Sequence, residues 1–205
     1  MSEAGYLLKS FMALFTVIDP VGGAPFFLSI TEGYSSSERK KIAFRASLTL
    51  FFTLELFLWI GKNLLEIFQI SIFSFKIAGG ILLFVTAMEM LFGQIRHAKT
   101  SVEEASQVRR KEDVSIVPLG IPYLAGPGAI TTTIILAENA QTLHKIELSF
   151  VILANALVTF LLLSQAERIF KILGELGTKA IVRILGLILA SIAVEYITSG
   201  LKQIF

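Results

Sequence analysis

Polar residues interrupt this chain at wide intervals. Between the interruptions apolar positions dominate six runs, at residues 7–32, 42–61, 70–92, 114–137, 146–166 and 178–200. A helix needs about 20 apolar residues to cross ~30 Å of hydrocarbon. The pattern therefore predicts an all-α integral membrane protein with six transmembrane helices. Its one extended hydrophilic stretch, residues 93–113, contains "RHAKTSVEEASQVRRKED". That linker separates a first three-span repeat, residues 1–92, from a second, residues 114–205.

Spans 1 and 4 carry features that the others lack. All five prolines lie in them: Pro20 and Pro25 within "VIDPVGGAPFFLSIT", then Pro118, Pro122 and Pro127, the last within "LAGPGAITTTI". Proline deletes a helical hydrogen bond and disfavours helix in the residue before it, and glycine lowers helix propensity by ~1 kcal/mol. Unpaired backbone in lipid costs several kcal/mol per group, so a break survives only inside protein or against a watery cavity. Each cluster is expected to divide its span into half-helices, the second ones starting at Pro25 and near Pro127. Their N-terminal N–H groups would point into the breaks with partial positive charge, which suits a carboxylate. Glycine permits close backbone approach, which favours a small ligand.

Displacing the chain on itself by 106 residues superimposes Gly22 on Gly128, Glu32 on Glu138, Phe44 on Phe150, Thr53 on Thr159, Gly80 on Gly186 and Glu89 on Glu195. The two break clusters coincide at the same offset. Each half has an odd number of spans, so the halves are expected to insert in opposite orientations. The fold class this predicts is a 3+3 inverted-topology repeat with discontinuous spans 1 and 4, a plan common among secondary transporters.

Composition agrees with a membrane setting: 54% hydrophobic, 17% charged, mean hydropathy +0.74. A soluble domain carries about 25% charge. A net charge of +2 leaves no nucleic-acid footprint, and the lack of cysteine excludes disulfides and thiolate chemistry. No basic region precedes the first apolar run, so the first span is expected to serve as its own insertion signal. Loops after spans 1, 3 and 5 hold eleven lysines and arginines, against four on the other side (Lys9, Lys62, Lys145, Lys202). Without the long linker the balance is still six to four. The positive-inside rule then puts both termini outside.

"LFTVIDPVGGAPFFLSIT" and "PYLAGPGAITTTI" resemble the two signature regions of the MarC family. The resemblance spans essentially the whole chain, including its length, six spans and central linker. It implies a protein similar to small neutral amino-acid transporters of the SnatA type, in the cytoplasmic (inner) membrane of a prokaryote. Implied substrates are glycine and alanine, with serine and threonine as further candidates. The implied coupling ion is the proton, ahead of sodium. A homo-oligomer is compatible with this, and no cofactor or metal is implied.

The polar residues of the spans supply the candidate site. Asp19 is the only aspartate in a span, and such a charge is expensive in lipid. It can receive a substrate ammonium or carry the coupled proton, or it can hydrogen-bond the N–H groups freed at Gly22–Gly23. Around it the candidate substrate-binding set is Pro20, Gly22, Gly23, Ala24, Gly126, Gly128, Ala129, Thr131, Thr132 and Asn155. The threonines can instead bond back to their own helix, and Asn155 can join two helices. Thr49 is the counterpart of Asn155, with Glu55 one and a half turns beyond. Glu89 and Glu195 are candidates for gating or proton relay. Arg45, Lys76 and Arg183 are expected to snorkel to headgroups, and His97 and His144 to be solvated in loops.

An enzyme is not expected. Asp19 lacks a second intramembrane aspartate, and two loop histidines do not make a zinc site. No Walker-type loop is present. The expected function is secondary transport of small neutral amino acids by alternating access. The alternative is an ion channel, or an exporter of another small polar solute.

Overall fold

A computed structural model describes residues 3–93, 115–138 and 140–204. The expected linker and His97 lie outside the described residues. Among the described residues eight helices follow in order: α1 (Glu3–Ile18), α2 (Gly23–Ile30), α3 (Ser36–Ile67), α4 (Ile72–Phe92), α5 (Ser115–Leu124), α6 (Pro127–Leu136), α7 (Thr142–Ser164) and α8 (Ala166–Leu201). No strand occurs among the described residues. Four helices, α3, α4, α7 and α8, are each long and apolar enough to cross a membrane. The pairs α1/α2 and α5/α6 bend by 46° and 56° at their breaks, and with each pair taken as one span the total reaches six.

Several helices exceed the apolar runs that predict them. At 32 residues, α3 is about 48 Å long at 1.5 Å per residue, so its ends project beyond ~30 Å of hydrocarbon. Its projecting start is closed by a capping box: Ser35 accepts from the Glu38 N–H, and Glu38 accepts from the Ser35 N–H at 2.8 Å. The loop expected after span 5 is mostly helix. Only Gly174, at φ +64, interrupts α8, in a conformation that glycine alone adopts without strain.

The core runs down the middle of the bundle, through Leu14, Ile18, Phe27, Leu50, Leu54, Leu119, Leu124 and Ile152. Large apolar side chains such as Phe52, Leu157, Leu187 and Phe150 cover the outer surface, as a lipid-facing exterior requires. The most extensive packing joins α4 to α8, then α3 to α7. Small residues bring α4 and α8 close. A Cβ on Gly80 would lie 2.8 Å from the Ala193 carbonyl oxygen, and one on Gly186 would lie 3.2 Å from that of Ala87. One on Gly200 would lie 2.8 Å from the Phe73 carbonyl. Position numbers fall on one helix as they rise on the other, so α4 and α8 run antiparallel. The α3/α7 pair does the same, through Phe44–Phe160, Glu55–Ser149 and Lys145 over Trp59.

One end of the bundle is tied by polar contacts. The Tyr6 hydroxyl donates to the Leu136 carbonyl at 3.1 Å, and Lys76 pairs with Glu138. Lys76 thus departs from the expected snorkelling: its side chain is 14% exposed and lies beside Phe73. An acid at the end of α6 gives its ammonium a partner within the protein. His144 is half-buried on α7 rather than solvated in a loop. At the opposite end, Arg39 donates to the Thr31 carbonyl and pairs with Glu167.

The α4/α8 seam yields a graded prediction. Gly80→Ala should destabilise the protein by about 1–3 kcal/mol, and Gly186→Ala by less, because the first methyl would lie 2.8 Å from a backbone oxygen and the second 3.2 Å. Thermal unfolding in detergent measures both, and an unchanged midpoint for Gly80→Ala would contradict the packing.

Candidate binding site at the two helix breaks

Between α1 and α2 the chain turns through Asp19 at φ +44, a left-handed value that aspartate tolerates better than most residues. Its carboxylate stabilises the turn. The Gly22 N–H donates to Asp19 Oδ1 at 3.0 Å, the Gly23 N–H to the Asp19 carbonyl at 2.9 Å, and the Ala24 N–H to the Val21 carbonyl at 3.2 Å. Pro25 has no N–H to place. The half-helix accordingly starts at Gly23, two residues before the expected Pro25, and its leading amides are occupied. Glycine is required at position 22, since a Cβ there would collide with the Asp19 carboxylate.

The second break is built differently. In α5, Val117 and Ile121 have extended backbone, and Pro118 and Pro122 follow them. The Ala125 N–H reaches back to the Gly120 carbonyl at 2.9 Å. Gly126 then caps α6, and Pro127 takes its first position, where the missing N–H costs nothing. The next two amides, of Gly128 and Ala129, have no acceptor among the described residues, and the Ile130 N–H makes the first regular bond, to Gly126. An N-terminus open to an anion was expected at both breaks. Leading amides without an acceptor occur at the second break among the described residues, whereas at the first the Asp19 side chain and carbonyl already take them.

The two breaks pack against each other. A Cβ on Gly23 would lie 2.9 Å from the Tyr123 ring, and one on Gly128 would lie 3.0 Å from Val17 and 2.9 Å from Leu83. Tyr123 also stacks on Phe26, with ring centroids 4.7 Å apart. Sequence reasoning missed Tyr123, although it lies in the quoted motif and is the repeat counterpart of Val17. Pro20 and Ala24 are buried beside the turn, Ala129 is buried, and Gly126 is half-buried.

Other candidates fall around this centre or away from it. Thr131 is buried with its methyl against Gly79, and the Thr133 hydroxyl bonds back to the Ala129 carbonyl at 2.8 Å. Thr132 is fully buried, with its hydroxyl beside Tyr196 of α8. Asn155 joins two helices, its Nδ2 donating to Val151 at 3.0 Å and to Phe11 at 3.5 Å, while its Oδ1 has no partner. Thr49 bonds back to Arg45, and Glu55 accepts from Trp59 and Ser149. Glu89 is half-buried on α4 and Glu195 exposed on α8. No cluster of three metal-ligating side chains occurs among the described residues.

A family model described as MarC family integral membrane protein matches residues 4–205. The chain belongs to the MarC family. Among its relatives, a UPF0056 membrane protein of Aquifex aeolicus is 34% identical over all of this chain and 96% of that protein. YhcE of Escherichia coli is 36% identical over 96% of this chain and 92% of its own length. YvbG of Bacillus subtilis is 37% identical over 98% and 96%. No solved structure matches the chain. As a MarC protein it is an integral, multi-pass membrane protein of a prokaryotic family.

The turn at Asp19 makes a prediction that separates structure from charge. Asp19→Asn keeps an oxygen for the Gly22 N–H and should unfold close to wild type. Asp19→Ala removes that acceptor and should cost about 1 kcal/mol. Thermal unfolding of the two variants decides it, and equal midpoints would deny the carboxylate its role in the turn.

Proposed function

We propose that this MarC protein is a secondary transporter of small neutral amino acids, glycine and alanine foremost, coupled to the proton gradient. The observation that carries this reading is the opposite chemistry of two adjoining breaks. One presents the Asp19 carboxylate, whose Oδ1 is held by Gly22. The other presents the free N–H groups of Gly128 and Ala129 at a helix N-terminus. An α-amino acid carries an ammonium and a carboxylate on neighbouring atoms. Its carboxylate fits the α6 amides, with their partial positive charge, and its ammonium faces Asp19. Val17, Leu83 and Tyr123 crowd the glycines, which favours hydrogen or methyl side chains over bulky ones. The resemblance to SnatA-type transporters points to the same cargo.

An inverted repeat gives the site its means of alternating access. Its support is reciprocity at the 106-residue offset. Gly80 meets Ala193 and Ile197, while Gly186 meets Ala87 and Leu91, which are the counterparts of those partners. Gly23 meets Tyr123, while Gly128, the counterpart of the neighbouring Gly22, meets Val17. Such isologous contacts belong to a two-fold relation. Helices related by it run antiparallel, so its axis lies across them, in the membrane plane. The two halves can then exchange conformations about a fixed central site. The excess of lysine and arginine in the loops after spans 1, 3 and 5 supports an orientation with both termini outside the cytoplasm.

Labelled alanine in proteoliposomes tests the function. Counterflow should be competed by unlabelled alanine, and accumulation should be abolished by a protonophore. Gly128→Val places bulk against Leu83 and Val17 and should abolish transport. Normal alanine transport by Gly128→Val would misplace the site. Ion conductance without competition by alanine would replace the transporter with a channel.

A further inference from the structure

The start of α8 carries more charge than a bilayer interior admits. Residues 166–179 hold Glu167, Arg168, Lys171, Glu175 and Lys179. Charges at that density stay out of hydrocarbon, and Glu167 is tied to Arg39 at the start of α3. The helix has length to spare. Its 36 residues amount to about 54 Å at 1.5 Å per residue, against ~30 Å of hydrocarbon. A kink at Gly174 divides the charged start from the spanning part.

The same stretch exposes apolar bulk. Ile172 and Leu176 are both 84% exposed, the highest values for large apolar side chains among the described residues. Before the kink, Ala166, Ile169, Phe170 and Leu173 are buried or half-buried, and Ile172 stands clear, one turn beyond Arg168. After it, Leu176 heads an exposed stripe that continues through Ala180, Ile184 and Leu187 at helical spacing. Ile184 and Leu187 lie in the apolar span, so the stripe joins the lipid-facing surface to the charged level.

The charge at that level is unbalanced. Residues 166–183 contain four basic residues and two acids. Both acids are engaged, Glu167 by Arg39 and Lys171, and Glu175 by Lys179. Arg168 and Arg183 are exposed and have no acidic partner among the described residues. Along the chain these two guanidiniums bracket Ile172 and Leu176. A guanidinium matches a phosphate bidentately, and basic segments at a membrane surface attract anionic lipid.

We propose that the start of α8 is a seat for anionic phospholipid, in which Ile172 and Leu176 dip into the acyl boundary and Arg168 and Arg183 hold the headgroup phosphate. An amphipathic segment lying in the interface combines these two contacts. The seat does not depend on what the protein transports.

The chain has no cysteine, so single nitroxide labels can be placed on it directly. Ile172→Cys and Leu176→Cys are labelled in vesicles of phosphatidylcholine and phosphatidylglycerol, with Leu187→Cys as the lipid reference and Ser37→Cys as the aqueous one. Both test labels should be more accessible to oxygen than to a water-soluble nickel chelate, as at Leu187→Cys. Either label favouring the chelate stands in water and overturns the seat. Shielding from both reagents means that protein covers the site, a second copy or another part of this chain, and overturns it equally. Native mass spectrometry then reads the lipid retained. The wild type should hold phosphatidylglycerol in preference to phosphatidylcholine, and Arg168→Gln with Arg183→Gln should weaken that preference by about fivefold per arginine. A wild type without the preference, or a double variant that keeps it, overturns the seat. If the double variant does not fold, Arg168→Gln alone is read by the same criterion.

Discussion

A backbone N–H inside a bilayer has no water to fall back on, and the organisation of this protein follows from that constraint. Two spans are broken where a break is most expensive, so each break must find its own acceptors. In α1/α2 the chain solves the problem internally: Asp19 takes the Gly22 amide with its side chain and the Gly23 amide with its carbonyl. In α5/α6 the solution is incomplete. Pro127 removes one amide, and those of Gly128 and Ala129 remain free. One break has its leading amides occupied and the adjoining one has two without acceptors among the described residues, and the proposed binding of a zwitterion rests on that difference.

Tight packing holds the breaks in register. Glycines let α4 approach α8 to backbone contact, and one glycine of each break, Gly23 and Gly128, receives a side chain from the other half. Substitution by any larger residue along these seams moves a neighbour, so the small residues act through geometry. At the 106-residue offset the two halves differ in their polar residues. Asp19 has Ala125 at that offset, and Ser10, Thr132 and Tyr196 have Ile116, Phe26 and Met90.

Much of this was legible in the residues. Apolar runs marked every span, because lipid imposes length and composition directly, and the Pro/Gly clusters marked both breaks. The ends of α3 and the start of α8 were not legible, since polar helix beyond the hydrocarbon leaves no apolar signal. Lys76 was misassigned because its partner Glu138 is 62 residues away and joined only by the fold. The inequality of the two breaks was also hidden. Proline and glycine announce that a helix stops, while the hydrogen bonds that remain open depend on Asp19 taking a left-handed turn. Tyr123 went unnoticed because an aromatic residue in an apolar run ordinarily reads as core.

The central claim is that the carboxylate of a bound amino acid rests on the α6 amides and its ammonium faces Asp19. Solid-state NMR of the protein in lipid, with 13C-carboxyl alanine and backbone 15N at the glycines and alanines, measures this directly. The account predicts that the alanine carboxyl carbon lies within about 4 Å of the Gly128 and Ala129 nitrogens, as hydrogen bonding requires. A carboxyl carbon nearest to Gly22 and Gly23, or dipolar contact with neither pair, would contradict it.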